Sequence, residues 1–156
     1  MDAQAAALDA VLRDRGAPAS PHPEDRSSAA PILLDTRVVQ WWSAEPDRLS
    51  ARAAKLVGEA DALAVAAITW FELAWLARNG RIDVAIPVRA WLEQLSAQVR
   101  TIAITPAIAD TAAALPASFP GDPADRLIYA TAVEHGVKLV TKDGRLRKHN
   151  RAVAVW

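Results

Sequence analysis

Residues 122–143, DPADRLIYATAVEHGVKLVTKD, predict one complete helix and strand unit. Asp122 followed by Pro123 is a typical helix start, because the aspartate caps free amides and proline fits the first helical turn. Gly136 is a typical helix end, and the apolar run that follows at residues 138–141 has the composition of a buried strand. A helix that leads into a buried strand is the repeating unit of a parallel sheet, so the chain is predicted to be an α/β protein.

The same alternation continues through the rest of the chain. Short runs rich in Val, Ile and Leu predict further strands, and helix-start signals stand between them at Thr69, Pro87 and Thr105-Pro106. A chain of 156 residues with 52% apolar composition is long enough for one well-buried core. We predict one α/β domain over residues 31–156 with a central, mainly parallel sheet. Its strands are predicted at residues 32–34, 63–68, 99–104, 138–141 and 152–155.

Residues 1–30 have a different composition. An Ala-rich stretch is followed by Pro, Ser and charged residues that leave little apolar surface to bury. We predict a flexible N-terminal extension.

Composition also excludes several classes of site. The chain has no cysteine, so disulfides, thiolate metal sites and cysteine nucleophiles are ruled out. No apolar run approaches the roughly 20 residues that a membrane-spanning helix needs, and Asp2 stands where a signal peptide would be basic. We therefore expect a cytoplasmic protein without a membrane partner. No glycine-rich phosphate loop follows a predicted strand, which disfavours nucleotide cofactors.

Four carboxylates occupy the informative positions. Asp35 directly follows the first predicted strand, Glu72 comes just after the second, and Asp143 follows the fourth. Residues placed after several strands of a parallel sheet converge at one edge, where ligands bind. Asp125, at the start of the helix before the fourth strand, can join them through a right-handed crossover.

Carboxylates held close together repel one another unless a cation compensates their charge. Mg²⁺ or Mn²⁺, which prefer oxygen ligands, suit such a cluster better than metals that favour histidine or thiolate. Each acid also has a purely local explanation. Thr69 to Glu72 has the pattern of a capping box, Asp122 to Asp125 that of a capped helix start, and Asp35 and Asp143 can be N-caps.

Three motifs carry a resemblance to a known family. They are ILLDT at residues 32–36 with WW at 41–42, ITWFELAWLARNGRIDV at 68–84, and LPASFPGDPADRLIYATAVEHGVKLVTKD at 115–143. In order and spacing they resemble the PIN-domain ribonucleases, and among these the VapC-like toxins of bacterial toxin and antitoxin pairs. The resemblance runs from about residue 31 to the C-terminus.

This resemblance implies a PIN-like α/β/α sandwich and a Mg²⁺- or Mn²⁺-dependent endoribonuclease. Asp35, Glu72, Asp125 and Asp143 match the family's four catalytic, metal-binding acids, and Asp122 is a possible fifth. Thr36 and Thr141 match accessory positions beside the metal. The resemblance also implies an RNA substrate, a cognate antitoxin partner and a homodimer. A non-catalytic PIN-like module that binds RNA or protein is the alternative.

The C-terminal part of the chain is basic. Residues 126–156 hold seven Lys or Arg against two acids, and this excess can attract phosphate. Arg126 can instead pair with Asp122. The candidates for holding the RNA backbone are Arg126, Lys142, Arg145, Arg147, Lys148 and Arg151.

Overall fold

The computed structural model describes residues 30–156, so the predicted flexible extension lies outside the described residues except for Ala30. Its five strands form one sheet in the order β3-β2-β1-β4-β5, and every neighbouring pair is parallel. The predicted parallel sheet is confirmed. The strands are β1 (Ile32–Leu34), β2 (Leu63–Ala66), β3 (Arg100–Ile102), β4 (Leu139–Val140) and β5 (Ala154–Val155).

Helices connect the strands and cover both faces of the sheet. None of the helices within residues 30–156 has the length and apolar character needed to cross a membrane. The helices are α1 (Thr36–Ala44), α2 (Ala51–Glu59), α3 (Ile68–Arg78), α4 (Val88–Ser96), α5 (Pro106–Ala114), α6 (Pro123–His135) and α7 (Gly144–His149), with a short 3₁₀ turn at Pro46–Arg48.

The sheet is buried on both sides, because successive side chains of a strand point to opposite faces. Leu34 and its neighbours on one face pack against α1, α2, α3 and α4. Leu33 and its neighbours on the other face pack against α6 and α7, and α5 packs on the outside of α6. Leu33 and Leu34 are both fully buried, and each contributes about 1.5–3 kcal/mol of burial free energy. This is the expected α/β/α sandwich.

Two of the predicted helix starts are confirmed by their capping bonds. Asp122 accepts hydrogen bonds from the backbone amides of Ala124 and Asp125 at 2.8 and 3.3 Å, and Pro123 is the first residue of α6. Thr105 caps α5 in the same way through the amide of Ile108, at 3.2 Å. Gly136 ends α6 with φ of +61°, a left-handed conformation that glycine adopts without strain.

The capping box at Thr69 is wrong, and so is the end of the second predicted strand. The strand ends at Ala66 and the helix begins at Ile68, two residues earlier than the pattern suggests. Ala67 already has helical φ and ψ of −54° and −31° and offers no side-chain cap. Thr69 therefore lies inside α3, fully buried, and Glu72 does not cap this helix.

Candidate active site

The four acids meet at the carboxyl edge of the sheet. Asp35 follows β1 directly, and Asp143 lies three residues beyond the end of β4. Glu72 comes from the second turn of α3 and Asp125 from the first turn of α6. All four line one cavity of about 490 Å³.

Two threonines link three of these acidic residues together. The amide of Thr36 donates to Asp35 Oδ1 at 2.8 Å, and its hydroxyl donates to Glu72 Oε1 at 2.5 Å. The hydroxyl of Thr141 donates to Asp35 Oδ2 at 2.8 Å and accepts from the amide of Asp143 at 3.0 Å. Both oxygens of Asp35 are thus engaged, and its carboxylate is held from the start of α1 and from the residue that follows β4.

Two of the four acids cap a helix and also belong to the acidic cluster. Asp35 is the N-cap of α1, and Asp143 is the N-cap of α7 through the amide of Arg145 at 2.8 Å. Asp125 is the third residue of α6, behind the cap of Asp122. After β1 and after β4, the aspartate that caps the next helix also belongs to the acidic cluster, so capping fixes these two acids at the sheet edge.

Burial and mutual repulsion raise the pKa of three of the acids. For Asp125 the pKa rises to about 7, first because of burial and then because of the charges of Asp35, Asp122, Asp143 and Glu72. A helix N-terminus alone would favour the charged form, so here the neighbouring carboxylates and desolvation outweigh the helix dipole. Burial likewise raises the pKa of Asp35 and of Glu72, against the hydrogen bonds from the threonines.

Asp143 differs from the other three acids. Its hydrogen bonds with the Arg145 guanidinium, at 2.8 Å to Oδ2 and 3.2 Å to Oδ1, hold its pKa below the usual range. The same guanidinium lies 3.9 Å from Asp125 Oδ2. Arg145 thus supplies part of the positive charge that the acidic cluster needs.

The donor set suits a hard divalent cation with retained water. Within residues 30–156, no three acidic or histidine side chains are grouped closely enough to enclose an ion between them. Mg²⁺ usually takes one or two protein carboxylates and completes its shell with water and phosphate oxygens. Asp35, Glu72 and Asp125 offer oxygen donors whose pKa values are raised by burial first and by neighbouring carboxylates second, and a bound cation would stabilise their charged forms.

The basic residues expected to hold RNA fall into two groups. Lys142 and Arg145 line the acidic cavity, together with Arg37. Arg147, Lys148 and Arg151 line a separate cavity next to β5. The structure therefore does not bring these basic residues together in one cavity.

Arg126 requires a correction. Its guanidinium does not extend toward the acidic cavity and does not pair with the Asp122 carboxylate. All its N–H groups donate to backbone carbonyls at 3.0–3.5 Å, so the side chain fastens the end of α5 and the following loop to α6. We remove Arg126 from the candidate RNA contacts. The five acceptors are the carbonyl oxygens of Ala112, Leu115, Pro116, Phe119 and Pro120.

Thr69 is a member of the site that sequence reasoning missed. Its buried hydroxyl lies 3.4 Å from the hydroxyl of Thr36, which in turn holds Glu72. The available signal was its position three residues before Glu72, but that spacing also matches a capping box. The capping interpretation placed Thr69 just before the first turn of the helix, where its side chain would be at the surface, and so it did not predict a buried hydroxyl beside Thr36.

The raised pKa of Asp125 predicts a pH-dependent stability in the metal-free protein. In the unfolded chain this carboxyl titrates near 3.8, and in the folded state at about 7. Between these values the folded state retains a proton that the unfolded state releases, so stability falls as pH rises through this range. We expect the melting temperature in a chelating buffer to fall from about pH 5 to about pH 8, and to fall less in Asp125→Asn. An equal fall in both proteins would contradict the raised pKa.

Comparisons with known proteins agree with this architecture. A family model described as PIN domain matches residues 32–152. Over 127 residues the chain is 65% identical to Ribonuclease VapC22 of Mycobacterium tuberculosis, a match that covers 80% of this chain and 98% of that protein.

Two solved structures share the fold. One is a toxin–antitoxin complex from Klebsiella pneumoniae, with a TM-score of 0.59, 23% identity, and coverage of 80% of this chain and 96% of that one. The other is VapBC2 from Rickettsia felis bound to a DNA fragment from its promoter, with a TM-score of 0.61, 15% identity and the same coverage. At these identities the likeness concerns the fold alone.

Proposed function

Since the chain belongs to the PIN-domain family, and within it to the VapC ribonucleases, we propose that it is a Mg²⁺- or Mn²⁺-dependent endoribonuclease and the toxin of a toxin–antitoxin pair. One observation carries the catalytic part of this proposal. Four carboxylates from β1, α3, α6 and the end of β4 line a single cavity, and three of them have raised pKa values. Such a concentration of negative charge is typical of a site that binds a divalent cation.

The chain's own residues hold the acids in place before any substrate arrives. Thr36 fixes Asp35 and Glu72 relative to each other, and Thr141 fixes Asp35 relative to the backbone of Asp143. Asp35, Glu72 and Asp125 would hold the ion directly or through water, with Asp143 beside them. When bound, the ion supplies positive charge at the scissile phosphate and lowers the pKa of a water molecule.

The reaction is hydrolysis with water as the nucleophile. A water oxygen forms a bond to phosphorus, the bond to the ribose 3′ oxygen breaks, and that oxygen ends with a proton. The products are a 5′-phosphate and a 3′-hydroxyl. Lys142 and Arg37 line the cavity and would contact the phosphates without reading the bases.

RNA cleavage by the purified full chain tests this proposal. We expect cleavage in the presence of Mg²⁺ or Mn²⁺, none in EDTA, and a loss of roughly 10²-fold or more in Asp125→Asn. Asp110→Asn is the matched control, because Asp110 is an exposed carboxylate on α5, the helix that packs on α6. Products with a 2′,3′-cyclic phosphate, or full activity in EDTA, would refute the mechanism.

A non-catalytic module that binds RNA or protein is the second candidate. This module would have the same fold as the nuclease, and it would differ from it by binding RNA without cleaving it. Stable RNA binding by the unmodified protein, with no cleavage under any divalent metal, would favour this candidate over the nuclease.

We also propose two protein partners, an antitoxin and a second copy of the chain. The structures that share this fold are described as toxin–antitoxin or VapBC structures, which supports the first. On α3, Phe71 is 65% exposed and Trp75 50%, and this apolar surface lies beside Glu72. An apolar patch of this kind marks a protein contact.

A further inference from the structure

A second cavity, of about 390 Å³, lies beside β5 and is strongly basic. Four cationic side chains line it: Arg52 from α2, Arg147 and Lys148 from α7, and Arg151 from the turn that follows α7. Trp156 also lines it. None of the described side chains that line it is acidic.

Within the described structure, no acidic side chain forms an ion pair with a cation of this basic cavity. The ion pairs formed within residues 30–156 involve Arg48 and Arg145, and none involves a cation of the basic cavity. Arg147 Nε is buried and has no hydrogen-bond partner there. Like charges that face one cavity repel one another, and an anionic ligand would remove this repulsion.

The basic cavity adjoins the acidic cavity through a shared segment, residues 142–147. Arg147 lies against Gly144 and donates from Nη2 to the carbonyl oxygen of Lys142 at 3.4 Å. Lys142 itself lines the acidic cavity, and its ammonium lies 5.3 Å from the ring centroid of Trp41. The Trp41 ring packs on Trp156 at 5.6 Å. An RNA strand bound in the acidic cavity would therefore need to cross only residues 142–147 to reach the basic cavity.

The acidic cavity on its own is a poor binder of a polyanion. Its four carboxylates face three cations, Arg37, Lys142 and Arg145, and Arg145 is already paired with Asp143. RNA affinity comes mainly from Lys and Arg contacts to phosphate. Further affinity is therefore expected from cations outside the acidic cavity, and the basic cavity is next to it.

We propose that the basic cavity is a second RNA subsite, which holds a backbone phosphate of the substrate at some distance from the bond that is cut. This proposal rests on the ribonuclease function proposed above. It makes Arg52 and Arg151 substrate-positioning residues that contribute to binding and not to the chemical step. An acidic protein segment is the competing occupant, and the experiment distinguishes the two.

The test uses the full chain carrying Arg52→Gln and Arg151→Gln together, since both side chains are exposed and neither is part of the acidic site. With a single-stranded RNA oligonucleotide, we expect KM to rise roughly tenfold at unchanged kcat. The slope of log affinity against log salt, measured in EDTA so that RNA stays intact, should fall by about 0.7, the value for one lost phosphate contact on a single strand. With a small aryl phosphodiester, which spans only the scissile phosphate, both constants should stay unchanged.

Arg81→Gln with Arg89→Gln is the control, because it removes the same charge from exposed positions after α3 and on α4. An unchanged KM and salt slope for RNA, or equal changes in the control, would overturn the inference. So would weaker binding of polyglutamate with unchanged binding of RNA, which would assign the cavity to an acidic protein segment. The salt slope in EDTA decides the inference even if no RNA is cleaved, whereas failure of cleavage alone counts against the proposed nuclease.

Discussion

Replacing Asp35 by Asn is expected to lower the rate of RNA cleavage roughly 10³-fold while leaving the protein folded. Asn keeps an acceptor for the Thr36 amide and is as good an N-cap as Asp, so α1 retains its start. It cannot present a second carboxylate oxygen to Thr141, and it carries no charge for a cation. The variant also removes a buried carboxyl with a raised pKa, so the metal-free protein should be at least as stable as the unmodified one at neutral pH.

Cleavage kinetics at saturating RNA and thermal unfolding in EDTA provide the two readouts. Asp61→Asn is the matched control, because Asp61 is an exposed carboxylate just before β2, at the opposite edge of the same sheet. Wild-type cleavage by Asp35→Asn would remove this residue from the catalytic site. A large drop in melting temperature would show instead that its role is structural.

Replacing Arg126 by Met is expected to lower the free energy of unfolding by about 3 kcal/mol, or about 10 °C in melting temperature. The change removes five hydrogen bonds from a charged donor and leaves the carbonyls at the end of α5 without their partner. The estimate is below the sum of five separate bonds, because the guanidinium is partly exposed and water can reach some of the carbonyls. Arg126→Lys should recover only part of the loss, since an ammonium cannot reproduce the planar fork.

Chemical denaturation of Arg126→Met, Arg126→Lys and the exposed control Arg89→Met would measure these differences. We expect the control to change stability by less than about 0.5 kcal/mol. If Arg126→Met kept full stability and lost RNA affinity, Arg126 would return to the RNA contacts from which the structure removes it.

The strands were predictable because their signal is local. The apolar run ILL before Asp35 is short and has the composition of a buried strand, and β1 has the predicted bounds. The start of α6 was predictable for the same reason, since Asp122 and Pro123 act on their own helix. The start of α3 was not, because the chain passes from β2 into the helix at Ala67 without a capping side chain, and Thr69 offered a false cap.

Features that depend on contacts between distant segments left no pattern in the sequence. The partners of Arg126 are backbone carbonyls, which any residue supplies, so its role cannot be seen from residue types. The basic cavity joins Arg52 to Arg151 through the packing of α2 beside β5, far apart along the chain. The grouping of the four acids was predictable only because a parallel sheet brings strand ends to one edge.

The hydrogen bond between Thr141 and Asp35 joins residues that are 106 positions apart, and this separation affects when the acidic cavity can form during protein synthesis. Synthesis delivers Asp35 and Glu72 early, but β4 must pair with the edge of β1 before Thr141 and Asp143 join them. Such non-local pairing is slow compared with helix formation, and domains fold from the N-terminus as they emerge. A chain that ends before β4 therefore lacks Thr141 and Asp143, and the acidic cavity is complete only when nearly all of the chain has been made.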